Sequence, residues 1–347
     1  MISSKPADTF LDHDHLEDIH GNIYVVIGNV HPPNKVIAYL KYVPVSGRTI
    51  WCRGSVCYER VVKKYGVRNV MSTIKHYQEY SYDPVFGAKT PQVSLSKIIK
   101  VYKPNERLRE IMRKPGDHLE LEVIDLVDEI EKYVGIGVNS IGIDGSILAG
   151  IHNPEYSDID LIIYGCKESI YFTECLGSIK SLGRLPPNRA LRHLLSQSEI
   201  YGLSVDLIKN IQPPYKRLWF RGRREVNVTF VDSYTYRYGD VVFKPLTPVE
   251  VTVNVEGGSC TSLFYPSYTY VNEVKDVKGV TSSDLVREIR SRLAYVISYE
   301  GIFSYVLYKG GELLVKGLLE LVLPQSYYVV VVGAIENPGY VIPLRYQ

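Results

Sequence analysis

The chain has 347 residues, of which 45% are hydrophobic and 22% are charged, and its formal net charge at pH 7 is +2. These values are typical of a globular protein of two or three domains and exclude both a disordered chain and a uniformly basic nucleic-acid-binding protein. No apolar run approaches the roughly 20 residues that span a bilayer, and the polar start Met1–Asp18 lacks the apolar core of a signal peptide.

Cysteine and tyrosine usage adds two expectations. The five cysteines are odd in number and have no Cys-x-x-Cys spacing, which predicts a reduced, cytoplasmic protein without a zinc site. The chain has 29 tyrosines but 8 phenylalanines and 3 methionines, a composition compatible with a thermophilic source.

The first region, residues 1–105, is predicted to form a β-rich domain. Ile23–Ile27 and Val36–Val43 are runs of β-branched and aromatic residues, and a proline-containing loop separates them. A charged connector follows, with one or two helical turns expected around Arg107–Arg113.

The second region, residues 106–235, alternates helical and strand patterns. Apolar residues between Val123 and Val134 recur at helical spacing, acidic residues occupy the other face, and Gly135 would end the helix. Further strands are predicted at Val138–Ile143, Ile159–Tyr164 and Glu225–Val231, and further helices at Glu168–Leu182 and Arg189–Gln197. This alternation predicts a small mixed sheet with helices.

The third region, residues 236–347, returns to β character. Its predicted strands are Val241–Lys244, Val249–Val255, Phe303–Tyr308, Leu313–Leu323 and Tyr328–Val332, and one helix is predicted at Ser282–Tyr295. The predicted fold class is therefore α+β, with a mixed sheet and its helices flanked by β-rich N- and C-terminal domains.

A turn at Gly145-Ser146 and a later pair of aspartates carry the clearest chemical signal. Because side chains alternate along a strand, Asp158 and Asp160 point to one side while Ile159 points into the core. Two such carboxylates can hold Mg²⁺ or Mn²⁺, which also bind substrate phosphates. Gly145 would let a phosphate approach the backbone, and Ser146 with the helix start would bind it.

This segment resembles the signature of the DNA polymerase β-type nucleotidyltransferase superfamily. The matching positions are Gly145, Ser146, Gly150, Asp158 and Asp160, followed by apolar residues and Gly165. The opening segment His20–Pro44 is similar to the N-terminal part of a group of archaeal predicted nucleotidyltransferases. The resemblance implies a palm-like sheet in the second region and transfer of a nucleoside monophosphate from an NTP, with release of pyrophosphate. The alternative is a surface aspartate pair beside a tight turn.

The superfamily pattern includes a third carboxylate on a later strand, which activates the attacking hydroxyl. Glu225 at the start of its predicted strand ranks first here, followed by Asp206 and then by Asp232 at the strand's end. Ser204 is typical of an N-cap, so Asp206 is alternatively a first-turn helix acid. Asn227 occupies the position where an acid would most naturally lie, which is a departure from the pattern.

The segment Lys209–Arg224 carries six cations interleaved with three aromatic side chains. Cations beside flat rings suit phosphates and stacked bases, which favours contact with a nucleotide or RNA. Arg217 and Arg221 are candidates for offsetting the charge that builds on pyrophosphate. The alternative is a solvated basic edge with its aromatics packed inward.

The histidines carry weaker signals. His13, Asp14 and His15 have the composition of metal ligands, but they lack a defined ligand spacing and are expected to lie in a mobile terminal segment. His31 is expected to be a loop residue held by hydrogen bonds. His152 lies in the loop before the aspartate pair, where it either contacts a nucleotide or has no functional role.

The sequence therefore predicts a nucleotidyltransferase that uses Mg²⁺ or Mn²⁺ and an NTP, with RNA as one candidate acceptor and the β-rich regions positioning that acceptor. A catalytically inactive nucleotide- or RNA-binding protein on the same fold is the first alternative, because the third acid is not placed. A partner-binding module, such as half of a toxin–antitoxin pair, is disfavoured because such minimal transferases lack large β-rich flanks.

Overall fold

The computed structural model describes residues 9–78, 80–335 and 337–345, so the first eight residues of the polar start lie outside the described residues. The fold is mixed α+β, with three sheets that follow one another along the chain, and the predicted fold class is confirmed at this level. Within these ranges, no helix is long and apolar enough to cross a membrane. The sheets fall at residues 15–102, 141–231 and 242–345, and the predicted division into domains stays a prediction.

The first sheet has eight strands within the described part of the chain. They are β1 (His15–Asp18), β2 (Ile23–Val26), β3 (Lys35–Val45), β4 (Trp51–Arg53), β5 (Val56–Arg60), β6 (Tyr80–Asp83), β7 (Ala88–Ser94) and β8 (Ile98–Tyr102). Their order is β4-β5-β3-β2-β1-β8, and the hairpin of β6 and β7 attaches to β3. A helix that the sequence did not predict, α1 (Val67–Ile74), packs Met71 and Ile74 against this sheet.

The expectation of a mobile, polar segment is wrong for the residues just before and within β1. Asp12, Asp14 and His15 are 5%, 1% and 0% exposed. β1 pairs with β2 on one side and with β8 on the other, so its backbone groups are satisfied inside the sheet. Composition could not reveal this, because the partners of these polar side chains come from distant parts of the chain.

Two helices connect the first sheet to the second, α2 (Pro104–Arg113) and α3 (His118–Val134). The predicted helix α3 is confirmed at its C-terminal end, but it begins at His118, five positions before the predicted apolar run. Asp117 accepts hydrogen bonds from two backbone N–H groups of its first turn, and Gly135, with a φ of 78°, ends it. Its apolar face packs in the main core against the second sheet.

The second sheet is mixed, with the order β11-β12-β13-β10-β9. Its strands are β9 (Ile141–Ile143), β10 (Ile159–Tyr164), β11 (Leu182–Arg184), β12 (Leu218–Phe220) and β13 (Arg224–Val231). The helices of this region are α4 (Gly145–Leu148), α5 (Cys166–Cys175), α6 (Pro187–Tyr201) and α7 (Val205–Ile211). β10 runs parallel to β13 and antiparallel to β9, and these three strands position the candidate site.

The third sheet closes on itself, because β14 pairs with both β15 and β17. Its strands are β14 (Val242–Val255), β15 (Ser267–Lys278), β16 (Leu293–Ser298), β17 (Gly311–Leu323), β18 (Tyr327–Val332) and β19 (Tyr340–Arg345). The helices here are α8 (Ser283–Arg292) and α9 (Ser304–Lys309). Valines from β14, β17 and β18 fill a separate apolar core.

Several predicted elements of the chain have the wrong type or length. The strand expected at Val138–Ile143 is confined to Ile141–Ile143, and the helix expected at Ser282–Tyr295 ends at Arg292. The predicted strand Phe303–Tyr308 is instead the helix α9, because Phe303, Val306 and Leu307 are buried at helical spacing. The predicted helix Glu168–Leu182 ends at Cys175.

The prediction of reduced cysteines is wrong for four of the five. Cys52 is bonded to Cys57 and Cys166 to Cys260, with S–S distances of 2.08 and 1.99 Å, and the exposed Cys175 is free. The second bridge joins residues 94 positions apart, which no local spacing could reveal. Because disulfides occur both in secreted proteins and inside hyperthermophiles, the cytoplasmic location stays a prediction.

Candidate functional site

The aspartate pair shares one face of the second sheet with a third acid. Asp158 directly precedes β10 and Asp160 lies within it, while Ile159 between them is fully buried. The parallel register places Asn227 of β13 beside Asp160. Since side chains alternate along both strands, Glu225 falls beside Asp158 on the same face. The structure thus brings together the predicted pair and the first-ranked third carboxylate.

These acids strongly influence one another. The charge of Asp160, then burial, then the charge of Glu225 raise the pKa of Asp158 to about 7. Asn227 donates a hydrogen bond to Asp160 at 3.1 Å, and Arg217 donates one to Glu225. A cation among these oxygens would favour the ionised carboxylates, so the donor set fits a hard divalent ion such as Mg²⁺ or Mn²⁺.

The closest cluster of potential ligand atoms lies elsewhere. Within the described ranges, only Asp117, Glu120 and His152 bring three such atoms within 4.8 Å of one another. His152 Nε2 is 2.8 Å from Asp117 Oδ2, and Glu120 accepts hydrogen bonds from Arg107 and a backbone N–H. His152 therefore fastens its loop to the start of α3. The other loop histidine, His31, accepts a backbone hydrogen bond at 3.3 Å, as predicted.

The Gly145-Ser146 turn lies directly against the acids. Gly145 has a φ of 67°, and a Cβ atom there would collide with Asp160 Oδ2, so only glycine fits. Ser146 is buried, and its hydroxyl lies 3.2 Å from that of Ser157, just before Asp158. The predicted phosphate-binding turn therefore faces a carboxylate, and its serine fixes the loop that leads into the aspartate pair.

Asp144, immediately before this turn, is a site residue that the sequence analysis missed. Its backbone N–H donates to the carbonyl of Asp160 at 2.8 Å, and its carboxylate is 2.7 Å from His13 Nδ1 and 2.9 Å from His15 Nε2. Burial alone would raise the pKa of Asp144, but the charges of His13 and Lys41 and the two histidine contacts hold it well below its usual range. An aspartate before a helical turn is a common N-cap, which is the signal that could have identified it.

The N-terminal segment brings a histidine to this position. His13 has a φ of 67°, which is uncommon for a residue other than glycine, and its ring lies between Asp144 and Asp12, 3.7 Å from the latter. Burial disfavours a charged ring, but Asp12 and Asp144 together raise the pKa of His13. Burial lowers the pKa of His15. His13 therefore keeps its proton to a higher pH than its neighbour does.

Lys216 is a cation of the basic segment that lies beside the acids. Its ammonium donates to Thr229 at 2.6 Å, and Thr229 lies two positions beyond Asn227 on the acid-bearing face of β13. Burial lowers the pKa of Lys216 to about 8, although Asp160 and Asp144 lie close enough to oppose this shift. In the sequence, this lysine is distinguished only as one member of a charge run.

The rest of the basic segment is divided among other partners. Arg221, which was expected to offset charge on pyrophosphate, pairs with two carboxylates of α3. Arg223 and the buried Arg224 both pair with Glu122, also on α3. Lys209–Arg224 is therefore not a continuous cationic surface, and its cations beside the acids are Lys216 and Arg217.

The two other candidates for the third carboxylate lie apart from the pair. Asp206 is exposed in the first turn of α7, where Ser204 caps the helix, so the helix-acid alternative is confirmed. Asp232 follows the far end of β13 and accepts a hydrogen bond from Tyr236 at 2.7 Å. At about 3.3 Å per residue, seven positions separate it from Glu225 by roughly 20 Å.

Comparison with known proteins gives similarity without a described activity. The chain is 24% identical to an uncharacterized protein, MJ1086 of Methanocaldococcus jannaschii, over an alignment of 361 positions. The alignment covers 92% of this chain and 94% of the relative. No protein-family model matches the chain, and no solved structure matches it significantly. The chain is thus similar over nearly its whole length to this archaeal protein.

Proposed function

We propose that the protein is a metal-dependent nucleotidyltransferase that moves a nucleoside monophosphate from an NTP to an acceptor and releases pyrophosphate. The observation that carries this proposal is the shared face of Asp158, Asp160 and Glu225 at the adjoining starts of two parallel strands. The Gly145 turn, packed against Asp160, is a second element of the same motif. Strands β9, β10 and β13 would be the core of a palm-like sheet.

Each charged group has a distinct role in this proposal. Asp158 and Asp160 would hold Mg²⁺ or Mn²⁺, which when bound stabilises charge on the attacking and leaving oxygens. Glu225 lies beside them and would accept the proton of the attacking hydroxyl. Arg217 would stabilise the charge that develops on pyrophosphate, as the sequence predicts, and Lys216 would join it in place of Arg221.

The test is transfer of label from each α-labelled NTP in the presence of Mg²⁺ or Mn²⁺. Total RNA, protein extract and small alcohols are supplied separately as acceptors. We expect Asp158→Asn and Asp160→Asn to lower the rate at least ~10²-fold, since each removes an anionic ligand while keeping the side chain's size. Glu225→Gln should also lower the transfer rate at least ~10²-fold, because loss of a general base typically has an effect of this size.

The matched control is Asp206→Asn, which changes an exposed helix acid to the same residue type and should leave the rate unchanged. Asp232→Asn should also retain activity, because it lies at the other end of β13. A double variant at Asp158 and Asp160 that still transferred label at the wild-type rate would refute the proposal.

A nucleotide- or RNA-binding protein without catalysis is the second candidate. Two carboxylates that a transferase would need free have hydrogen-bond partners in the structure. Asn227 donates a hydrogen bond to Asp160, and Arg217 donates one to Glu225. Wild-type protein that binds an NTP in a Mg²⁺-dependent manner but transfers no label to any acceptor would favour this candidate.

A further inference from the structure

Two cations of the first sheet have no carboxylate partner among the described residues. Lys41 is 7% exposed and makes no hydrogen bond or ion pair, and its ammonium lies 5.7 Å from the centre of the Tyr42 ring. Arg60 donates to the hydroxyl of Tyr65 and lies over that ring at 4.9 Å, but its Nε is buried without a partner. Most buried charges in proteins are paired, whereas these two have no carboxylate of the described residues within ion-pair distance.

A β-bulge sets the position of Lys41. Ile23 of β2 pairs with Tyr42 of β3, while Tyr24 pairs with Leu40, so Lys41 is the extra residue between two paired positions. Bulges redirect side chains and are over-represented beside functional sites. Burial opposes the charge of Lys41, but neighbouring groups, among them Asp144, raise its pKa well above the ordinary value, so it remains a cation that is able to bind an anion.

A groove of about 430 Å³ opens at Arg60, between the first sheet and α1. Lys63 and Lys64 also line it, and of the described lining residues only Glu59 is acidic. Lys63 lies 3.9 Å from Glu59, and Lys64 lies 2.8 Å from Glu199, in pairs that are largely exposed. Since exposed pairs are weak, these lysines remain able to attract an anion.

Tyr42, the residue after Lys41, pairs with Arg60 on β5 and packs in one apolar cluster with Ala149 and Ile151, which follow α4. Lys41 acts electrostatically on Tyr65 beside Arg60 and on Asp144 next to the Gly145 turn. An anion bound by Lys41 and Arg60 would therefore be held next to the acid-bearing face of the second sheet.

We propose that Lys41 and Arg60 bind a phosphate group of the acceptor, and that the rest of the acceptor lies in the groove. Phosphate oxygens accept strong hydrogen bonds from ammonium and guanidinium groups, which would supply the partner that both cations lack. Tyr77, which lines the groove, and Tyr65, whose ring lies beside Arg60, suit a base next to that phosphate. The role as acceptor site rests on the proposed transferase function, whereas phosphate binding does not.

The test is isothermal titration calorimetry without NTP or divalent ion, using inorganic phosphate and a single-stranded oligoribonucleotide as separate probes. We expect Lys41→Met and Arg60→Met each to weaken binding of both probes by about 10- to 100-fold, as loss of a charge-assisted hydrogen bond does. Lys316→Met, which removes an exposed cation of β17, is the matched control and should change neither affinity. If the oligoribonucleotide binds more tightly than phosphate, the acceptor is assigned as a polynucleotide. If the two probes bind equally, the acceptor is assigned as a small phosphorylated molecule.

A structural role for Lys41 predicts the opposite pattern. Methionine keeps the apolar stem of the lysine, so a lysine that serves only to bind an anion should be replaceable with little change in the melting temperature. A Lys41→Met protein that is less stable and binds phosphate as the wild type does would overturn the proposal, as would wild-type protein that binds neither probe. Arg60 is only partly buried, so its variant gives the same test if Lys41→Met does not fold. Binding without label transfer would refute the transferase and retain the phosphate site.

Discussion

Arg224 is a buried cation whose removal should disturb the candidate site without touching the acids themselves. Its guanidinium is 3.1 Å from the Glu122 carboxylate, and it donates to the carbonyls of Ser157 and Pro154 at 2.8 and 2.9 Å. Arg224 therefore ties α3 to the loop that leads into Asp158. We predict that Arg224→Met will lower the stability of the folded protein.

The structure gives the size of this effect. Without Arg224, the buried Glu122 keeps, among the described residues, only Arg223 as its counter-ion, a largely exposed side chain at 3.1 Å. Removing one partner of a buried ion pair costs about 3–5 kcal/mol, and because Arg223 remains we expect about 3 kcal/mol. With an unfolding entropy of about 2.1 cal/mol/K per residue, a chain of 347 residues should melt about 4 °C lower.

Differential scanning calorimetry of three variants checks this reasoning. The double variant Arg224→Met/Glu122→Met removes the unpaired charge as well, so it should melt higher than the single variant. Arg287→Met, which removes a largely exposed arginine of α8, is the control and should shift the melting temperature by less than about 1 °C. A single variant that melts within 1 °C of wild type, or a double variant that melts lower than the single one, would refute the reasoning.

Three further predictions concern pH, the long disulfide and the basic segment. Stability should fall as pH rises from about 4 to about 7, because Asp158 holds its proton to about pH 7 when folded but loses it near pH 4 when unfolded. Melting temperatures measured across this pH range should fall less steeply for Asp158→Asn than for the wild type. An equally steep fall would contradict the inference that the neighbouring acids raise the pKa of Asp158. Replacing Cys166 and Cys260 by serine should lower the free energy of unfolding by about 4–5 kcal/mol, the loop-entropy value for a bridge across 94 residues. Calorimetry with and without reductant measures this loss of stability. In the label-transfer assay, Lys216→Met should lower the rate at least ~10-fold, because Lys216 lies beside the acids. Arg221→Ser should leave the rate within about twofold, because Arg221 pairs with α3 instead. Equal losses of rate in the two variants would contradict this difference in position.

The sequence by itself determined the features that depend on local periodicity. The alternation of Asp158, Ile159 and Asp160 placed the two carboxylates on one face, because a strand has a period of two whatever surrounds it. The helix α3 followed from its apolar spacing and from Gly135 at its end. Ser204 likewise identified the start of α7 and showed that Asp206 could be a helix acid.

Only the tertiary structure decided which distant groups meet. His13 and Asp144 are 131 positions apart in the chain, and neither their contact nor the burial of the N-terminal segment has a local pattern. The bridge between Cys166 and Cys260 and the pairing of Arg221 with α3 are of the same kind. A charged side chain can be solvated, paired or buried in the same sequence context, because its energy depends on which opposite charge and how much water surround it. For this reason the acids could be placed from the sequence, while the cations and histidines around them could not.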